Sequence, residues 1–533
     1  MQIEGMHGVP LETPTAIDYI NELITNHELQ IKSIKTQYEQ RYNLLQNEYD
    51  ELKEKYELLI YKRFARSAEQ LLADSSQPLL FTEETEQQRL EEKTEVTELQ
   101  KVKSFTRKKA GRKPLSENLT RKEKIIDISE SEKTCACGAI LNRIGEETSE
   151  RLQIMPPEIY VEKIVRPKYA CPCCEGADDE ERPTVRMAPV EPTIIPRGIA
   201  TPSVLSTIFT QKFEMHLPYY RQEKQLAQIG AKISRQDMSN WQQQVYIKLN
   251  PLLVLLKDIV RSGPVMQMDE TEVQVMGEDG RNDKQKSRMW LARGGPPGKT
   301  VIWYEYHPTR AAYHAKEFLE GYRGYLQTDG YNGYDTAVKD MPEIIQVGCF
   351  AHARRRFFEA SKASKKPQSA EEGIKHIRKL YELENNLRSQ NLNENIFLEK
   401  RKTIATEILS EFREWLLKRQ IELLPSSLLG EAVGYMLNQW DKLVAYLESP
   451  YLTPDNNACE NAIRPFVIGR KNWLFCQSPR GAKSSCAMYS LIETSKQNGL
   501  IPFRYLMALF EKVPLASSLE DWEKLLPWNI FTA

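Results

Sequence analysis

No apolar run in this chain approaches the roughly 18 residues that a membrane-crossing helix needs. Leu252–Leu256 is among the longest. The first residues lack a charged stretch followed by an apolar one, so no secretory leader is expected. Cysteine is sparse outside one place: five of the nine fall between Cys135 and Cys174. That crowding suits a metal site in a reducing compartment and argues against a disulfide framework. Net charge is lacking too, since 73 basic and 74 acidic side chains leave −1. The balance excludes no partner, because basic residues cluster locally while acidic ones offset them elsewhere. A cytoplasmic protein is expected. With 533 residues, 41% of them apolar, the chain exceeds one hydrophobic core, and about three or four domains are predicted.

What the chain does have is an acidic residue inside a strand. Pro264–Met276 carries β-compatible bulk at Val265, Met266, Met268, Val273 and Val275, between Gly263 and Gly277. Asp269 sits in its middle. Burying a carboxylate there costs several kcal/mol unless it is paired or binds a cation. Two later carboxylates answer it: Asp329, closing Tyr325–Gly330, and Glu460, within Asn456–Pro465.

The N-terminal region (1–72) is predicted to be a long helix. Ile17, Ile24, Ile31, Tyr38, Leu45, Leu52 and Leu59 recur every seven residues, as do Tyr42, Tyr49 and Tyr56. That spacing predicts a coiled coil and a homodimer or higher oligomer. Residues 73–125 read as a linker, acidic then basic. Arg112 and Lys113 in Gly111–Pro114 fit phosphate or minor-groove contact. Residues 126–190 hold Cys135–Cys137 and Cys171–Cys174, separated by 33 residues that include the strand candidates Arg151–Ile154 and Ile159–Arg166. Two thiolate pairs on tight turns predict a structural zinc held by Cys135, Cys137, Cys171 and Cys174, with Cys173 competing for the last place. Residues 191–262 read as helical. Tyr220–Gly230 and a second helix opening at Ser234 have the shape of a helix-turn-helix, with Arg235, Gln236 and Asn240 able to face DNA.

From residue 263 to 359, strand candidates at 265–276, 287–292, 300–306, 324–328 and 344–349 alternate with a helix near 310–322. This pattern predicts a mixed sheet with helices packed on it. Residues 360–450 read as a helical insertion between Asp329 and Glu460. Residues 451–500 complete the core, and 501–533 form a helical tail. Asp455 is expected to cap a helix that places Asn457, Glu460, Asn461 and Arg464 on one face, ending at Pro465.

Three carboxylates from separate elements suit two divalent ions, Mg²⁺ or Mn²⁺. One ion activates an attacking oxygen and the other stabilises a leaving one in phosphodiester chemistry. Gly330 is expected to let a phosphate approach the backbone. His352 and Arg355, at a helix start where a phosphate or carboxylate could bind, are expected among the DNA-binding residues. Arg464, Arg470 and Lys471 form a basic series suited to DNA.

Asp269-Glu-Thr, Thr328-Asp-Gly-Tyr331, Cys349-Phe-Ala-His-Ala-Arg-Arg355, Glu460-Asn-Ala-Ile-Arg-Pro465 and Gly469-Arg-Lys-Asn-Trp473 occur in order. With Phe64–Leu71, Gly111–Pro114, the cysteine module and Asn498–Pro502, they resemble the IS66 family of bacterial transposases over nearly the whole chain. The resemblance implies an α+β multidomain chain with an RNase H-like core and a DDE triad of Asp269, Asp329 and Glu460. It also implies magnesium dependence and binding to double-stranded DNA at the element's terminal inverted repeats and at target sites near the nucleoid. Companion proteins encoded by the same element could take part. Asn461 stands where many relatives have Arg, and the first cysteine pair is spaced by one residue. The rival readings are a non-catalytic DNA-binding regulator and a structure-selective nuclease.

Overall fold

A computed structural model of the chain describes residues 14–64, 159–170, 185–363 and 367–530. Arg112, Lys113 and the cysteines of the expected zinc module lie outside the described residues. The chain divides into two compact units, residues 86–188 and the remainder. In the smaller unit, β1 (Lys168–Ala170) pairs antiparallel with β2 (Val185–Met187). The strand expected at Ile159–Arg166 does not form. Those residues are irregular, with Tyr160, Val161 and Ile164 exposed. Alternation alone does not hold a strand that has no partner edge.

In the larger unit, α1 (Pro14–Phe64) is one continuous helix of 51 residues. After a Pro-rich joint come α2 (Pro202–Phe213), α3 (Tyr219–Gln228), α4 (Arg235–Lys248) and α5 (Asn250–Val260). Gly230 turns the chain between α3 and α4 with a φ of +88°, a conformation glycine adopts at no steric cost. Ser234 caps α4 in a reciprocal box with Asp237.

The sheet follows. Strands β3 (Val265–Val275), β4 (Lys286–Gly294) and β5 (Val301–His307) form an antiparallel meander. After α6 (Ala312–Leu319), β6 (Gly324–Gln327) returns parallel to β3. After α7 (Asn332–Val338), β7 (Ile344–Val347) extends the sheet parallel to β6. The order is β5-β4-β3-β6-β7, a mixed sheet with β3 at its centre.

The helical block contains α8 (Phe350–Ala363), α9 (Gln368–Ser389), α10 (Glu394–Glu422), α11 (Leu428–Asn438) and α12 (Trp440–Val444). It has a core of its own around Phe357, Ile377, Phe412 and Leu443. The chain then returns to the sheet with α13 (Asn457–Trp473), β8 (Phe475–Cys476), which pairs with β3, and α14 (Pro479–Gln497). It ends with α15 (Pro502–Lys512) and α16 (Leu519–Lys524).

α14 shows how the edge of the sheet is closed. Its middle, Ala482–Ser495, is rich in Ser, Ala and Cys and almost entirely buried. Small side chains let it approach β5, where Thr494 Oγ1 accepts from the Ile302 amide at 3.0 Å and donates to its carbonyl at 3.1 Å. Ser490 Oγ accepts from the Tyr304 amide at 2.9 Å. Hydroxyls thus satisfy backbone groups that an edge strand would otherwise leave open.

Pro465 does not end its helix; α13 runs on to Trp473. Proline costs one backbone bond, but Cys459, Ala462, Ile463 and Phe466 are buried on the same helix. That tertiary packing outweighs the local penalty. The helix stops instead at Leu474, whose φ is +68°.

Candidate active site

Two short stretches repeat one pattern: Gln267-Met-Asp269 on β3 and Gln327-Thr-Asp329 at the end of β6. The strands are parallel, with Val265, Met266 and Gln267 opposite Tyr325, Leu326 and Gln327. Asp269 and Asp329 each follow that glutamine pair by two residues, and the Asp329 charge is felt at Asp269. Within β3, Asp269 projects to the face that carries Gln267, because strand side chains alternate with a period of two. Gln267 donates to Gln327 Oε1 at 2.8 Å in a buried contact.

The same glutamines reach toward the third carboxylate. Gln327 Nε2 donates to the Thr453 carbonyl at 2.7 Å. Asn456 Nδ2 donates to the Met268 carbonyl at 3.0 Å, and the Asn456 amide donates to Cys349 Sγ at 3.3 Å. The Phe350 amide closes on the Pro454 carbonyl at 3.0 Å. Residues 453–456 are therefore stapled to β3, β6 and the start of α8, and α13 leaves from that staple. Glu460 lies in its first turn. Asp455 is not the cap expected of it. The residue before the helix is Asn456, and Asp455 is buried, accepting from the Asn457 amide at 3.0 Å and from Asn457 Nδ2 at 2.8 Å.

The three carboxylates interact electrostatically. Asp269 is pushed up to about 8 by burial first, then by the charges of Glu270, Glu460 and Asp329, while the Glu270 amide at 2.8 Å opposes the shift. Glu460 is raised by burial and by Asp455 and Asp329, against Arg355 and Arg464, which lower it. A cation bound between carboxylates held this way would relieve their repulsion. Glu460 Oε1, Asn456 Oδ1 and Asn457 Oδ1 are buried with no hydrogen-bond partner. These are hard oxygen donors of the kind that Mg²⁺ and Mn²⁺ accept, so the residues fit such an ion.

The raised carboxyl carries a pH prediction. A metal bound at Asp269 would compete with a proton below about 8. Mg²⁺ or Mn²⁺ affinity should therefore strengthen from pH 6 to pH 8, by up to about tenfold per unit for each proton displaced. Calorimetric titration in buffers of different ionisation enthalpy would count the released protons. A flat affinity across that range would contradict the reading.

The remaining candidates are placed as follows. His352 opens α8, with Nδ1 3.7 Å from Glu460 Oε1. Arg355 lies on the same helix, near enough to lower Glu460, and Arg464 does so from α13 itself. Arg470 donates to Thr271 Oγ1 on β3 at 3.1 Å, and Lys471 is exposed in the last turn of α13. Arg235 is exposed at the start of α4. Asn461 is half-buried one residue after Glu460. The expectation for Gly330 is corrected: a Cβ there would meet the Tyr435 hydroxyl at 2.7 Å. The space over this glycine is taken by a side chain of the helical block.

Three features escaped sequence reasoning. The repeated Gln-x-Asp was visible, but its meaning depends on parallel register. Glu270, next to Asp269, is occupied: Arg310 is bound to it, and the Tyr334 hydroxyl donates to it at 2.8 Å. Arg310 also stacks on the Tyr331 ring at 3.6 Å, while the Tyr331 amide donates to Asp329 Oδ1 at 3.1 Å. Glu270, Arg310 and Tyr331 thus form a bracket linking the two aspartate-bearing strands.

Residues 197–484 match the family model described as Transposase IS66 family. Residues 132–175 match the zinc-finger binding domain of transposase IS66, and 490–528 match the IS66 C-terminal element. Residues 51–123 match a model described as Transposase C of IS166 homeodomain. The uncharacterized protein y4hP of Sinorhizobium fredii is 30% identical over 451 residues, covering 80% of this chain and 78% of its own. The uncharacterized protein y4jD of the same organism is 29% identical over 426 residues, covering 78% and 81%. Among the described residues no helix is long and apolar enough to cross a membrane. With a family match spanning more than half its length, the chain belongs to the IS66 family of transposases.

Proposed function

We propose that this chain is a DDE-type transposase whose RNase H-like core cuts DNA at the ends of its element and joins them to target DNA. The observation that supports the reading is the parallel register of β3 and β6, in which Gln267 faces Gln327 and each strand carries an aspartate two residues further on, Asp269 within β3 and Asp329 just beyond β6. Glu460 is brought in from the staple at residues 453–456. Asp269, Asp329 and Glu460 would hold two Mg²⁺ or Mn²⁺ ions, with Asn457 and Asn461 in support. When bound, such ions activate the attacking oxygen and stabilise the leaving one.

The protein's own part is to position. The glutamine pair and the Glu270–Arg310 bracket hold the aspartates in place. Arg355 and Arg464 hold positive charge where a DNA phosphate would lie. Arg470, Lys471 and, on another helix, Arg235 serve as backbone contacts. Arg112 and Lys113 would add contacts from the basic linker. Cys135, Cys137, Cys171 and either Cys174 or Cys173 would hold a structural Zn²⁺. The site of action is bacterial chromosomal DNA in the cytoplasm, with companion proteins of the element possible partners in assembling the ends.

Purified protein incubated with its own element ends and Mg²⁺ should nick one specific strand at each end and leave a 3′-hydroxyl. Cleavage without preference for those ends would favour a structure-selective nuclease. No cleavage of any substrate, with DNA binding intact, would favour a regulator.

α1 supplies the dimer in this scheme. Its seven-residue seam is open to solvent, with Tyr38 73%, Leu45 64% and Leu52 68% exposed. A different face docks on the body. There Leu58 is buried, Lys62 pairs with Glu359 of α8 at 2.8 Å, and Glu54 accepts from the Leu428 amide at 3.3 Å. The seam is thus left for a second copy while the helix stays anchored beside α8 and α11. Leu45→Lys combined with Leu52→Lys should convert a dimer to a monomer in light scattering, with the fold of the body unchanged. An unaltered mass would rule out this seam.

A further inference from the structure

The sequence places His352 among residues that could touch DNA; the structure puts its ring against Glu460. We infer that His352 is a metal ligand, so that one of the two cation positions of the proposed site is built from imidazole nitrogen and carboxylate oxygen together. The inference rests on the reading of Asp269, Asp329 and Glu460 as a metal centre.

Three observations carry it. Ligand atoms of Cys349, His352 and Glu460 all lie within 4.8 Å of one another. His352 Nδ1 and Glu460 Oε1 face each other at 3.7 Å, too far for a hydrogen bond. Both atoms are buried, and neither has a hydrogen-bond partner. Two orphaned polar atoms facing across a gap are costly without a third body between them. A cation bound to both satisfies both.

The neighbouring thiol does not compete for the ion. Cys349 is buried, with its sulfur accepting from the Asn456 amide. It ties the start of α8 to the segment that launches α13. We assign it that positioning role, since a thiol held in this way is a poor partner for a hard ion. His352 is then the nitrogen donor and Glu460 the oxygen donor. A site with one imidazole takes Mn²⁺ more readily than Mg²⁺, which prefers oxygen ligands and retained waters. The two cation positions would therefore differ. The pair near Asp329 is oxygen-only, and the one at Glu460 discriminates between metals.

Electron spin echo spectroscopy on the full-length protein loaded with Mn²⁺ tests this without any DNA or turnover. A directly bound imidazole nitrogen modulates the echo of the ion. We expect ¹⁴N modulation in the wild-type protein and its replacement by the ¹⁵N pattern when the chain carries ¹⁵N-histidine, a control that needs no substitution. His352→Gln should abolish the modulation and weaken Mn²⁺ binding by about tenfold or more, with a smaller loss for Mg²⁺. His307→Gln, at a histidine elsewhere on the sheet, should change neither. Bound Mn²⁺ with no nitrogen modulation overturns the inference and leaves the carboxylate site standing. No Mn²⁺ binding in the wild-type protein overturns the metal-centre reading itself.

Discussion

Glu460→Gln and Asp269→Asn should each reduce strand cleavage at element ends by on the order of a thousandfold or more. Both replacements keep the shape of the side chain and remove its charge. At Asp269 the carboxyl lies among Glu270, Glu460 and Asp329, a cluster whose self-repulsion is relieved by a proton or by a bound cation. Loss of one charge therefore weakens the ions more than it disturbs the fold.

Stability provides the control. Because the Asp269 carboxyl is raised to about 8, the metal-free folded state binds a proton that the unfolded chain has released. The stability from this group is fully present below the ordinary carboxylate range and is lost as pH rises through about 8. Above that pH the metal-free wild type carries an uncompensated charge that Asp269→Asn lacks. The variant should melt at a higher temperature than the wild type when both are metal-free at pH 9, while losing the stabilisation that Mn²⁺ gives the wild type. Thermal scans with and without metal check both signs. A variant that cleaves normally, or that is simply unfolded, would remove Asp269 from the reaction or leave its role to Glu460→Gln to decide.

Arg401→Met should cost about 3–5 kcal/mol of stability in chemical denaturation. Arg401 is fully buried in the helical block. One guanidinium nitrogen donates to the Tyr446 and Ser449 carbonyls at 2.9 Å each. The other donates to Glu384 at 2.8 Å and to the Leu452 carbonyl at 2.9 Å. Removing it takes one donor from a buried carboxylate and from three carbonyls, of which Leu452 keeps Arg388 at 3.0 Å and Ser449 keeps the Leu452 amide at 3.2 Å. Arg388 also binds Glu384, at 2.7 Å through Nε, so part of the charge stays compensated. Those carbonyls lie on residues 446–452, just before the staple that delivers Glu460. Arg401→Lys should recover little, because an ammonium cannot reproduce the planar fork. A loss below about 1 kcal/mol would show that water replaces the guanidinium at no penalty.

The elements were largely legible, and the reasons are local. The central strand shows in the β-branched and Met residues around Asp269, and α4 shows in Ser234 and Asp237. The sheet's mixed character followed from the order of strands and helices. What was illegible depended on tertiary contacts. Pro465 reads as a stop, yet buried Phe466 and Ile463 carry the helix through it. Gly330 reads as room for a phosphate, but Tyr435 arrives from a block about a hundred residues further along the chain. His352 reads as an anion contact at a helix start. Its neighbour Glu460 is adjacent only because Gln327, Cys349 and Asn456 fasten two distant segments together.

The central claim is that residues 269, 329 and 460 share cations, and iron-directed cleavage of the protein tests it most directly. With Fe²⁺ bound in place of Mg²⁺, ascorbate and peroxide generate hydroxyl radicals that cut the backbone beside the ion. The account predicts cuts next to all three residues, suppressed together by excess Mg²⁺ and lost together in Asp269→Asn. Cuts at only one of these segments, or cuts that Mg²⁺ does not suppress, would contradict it.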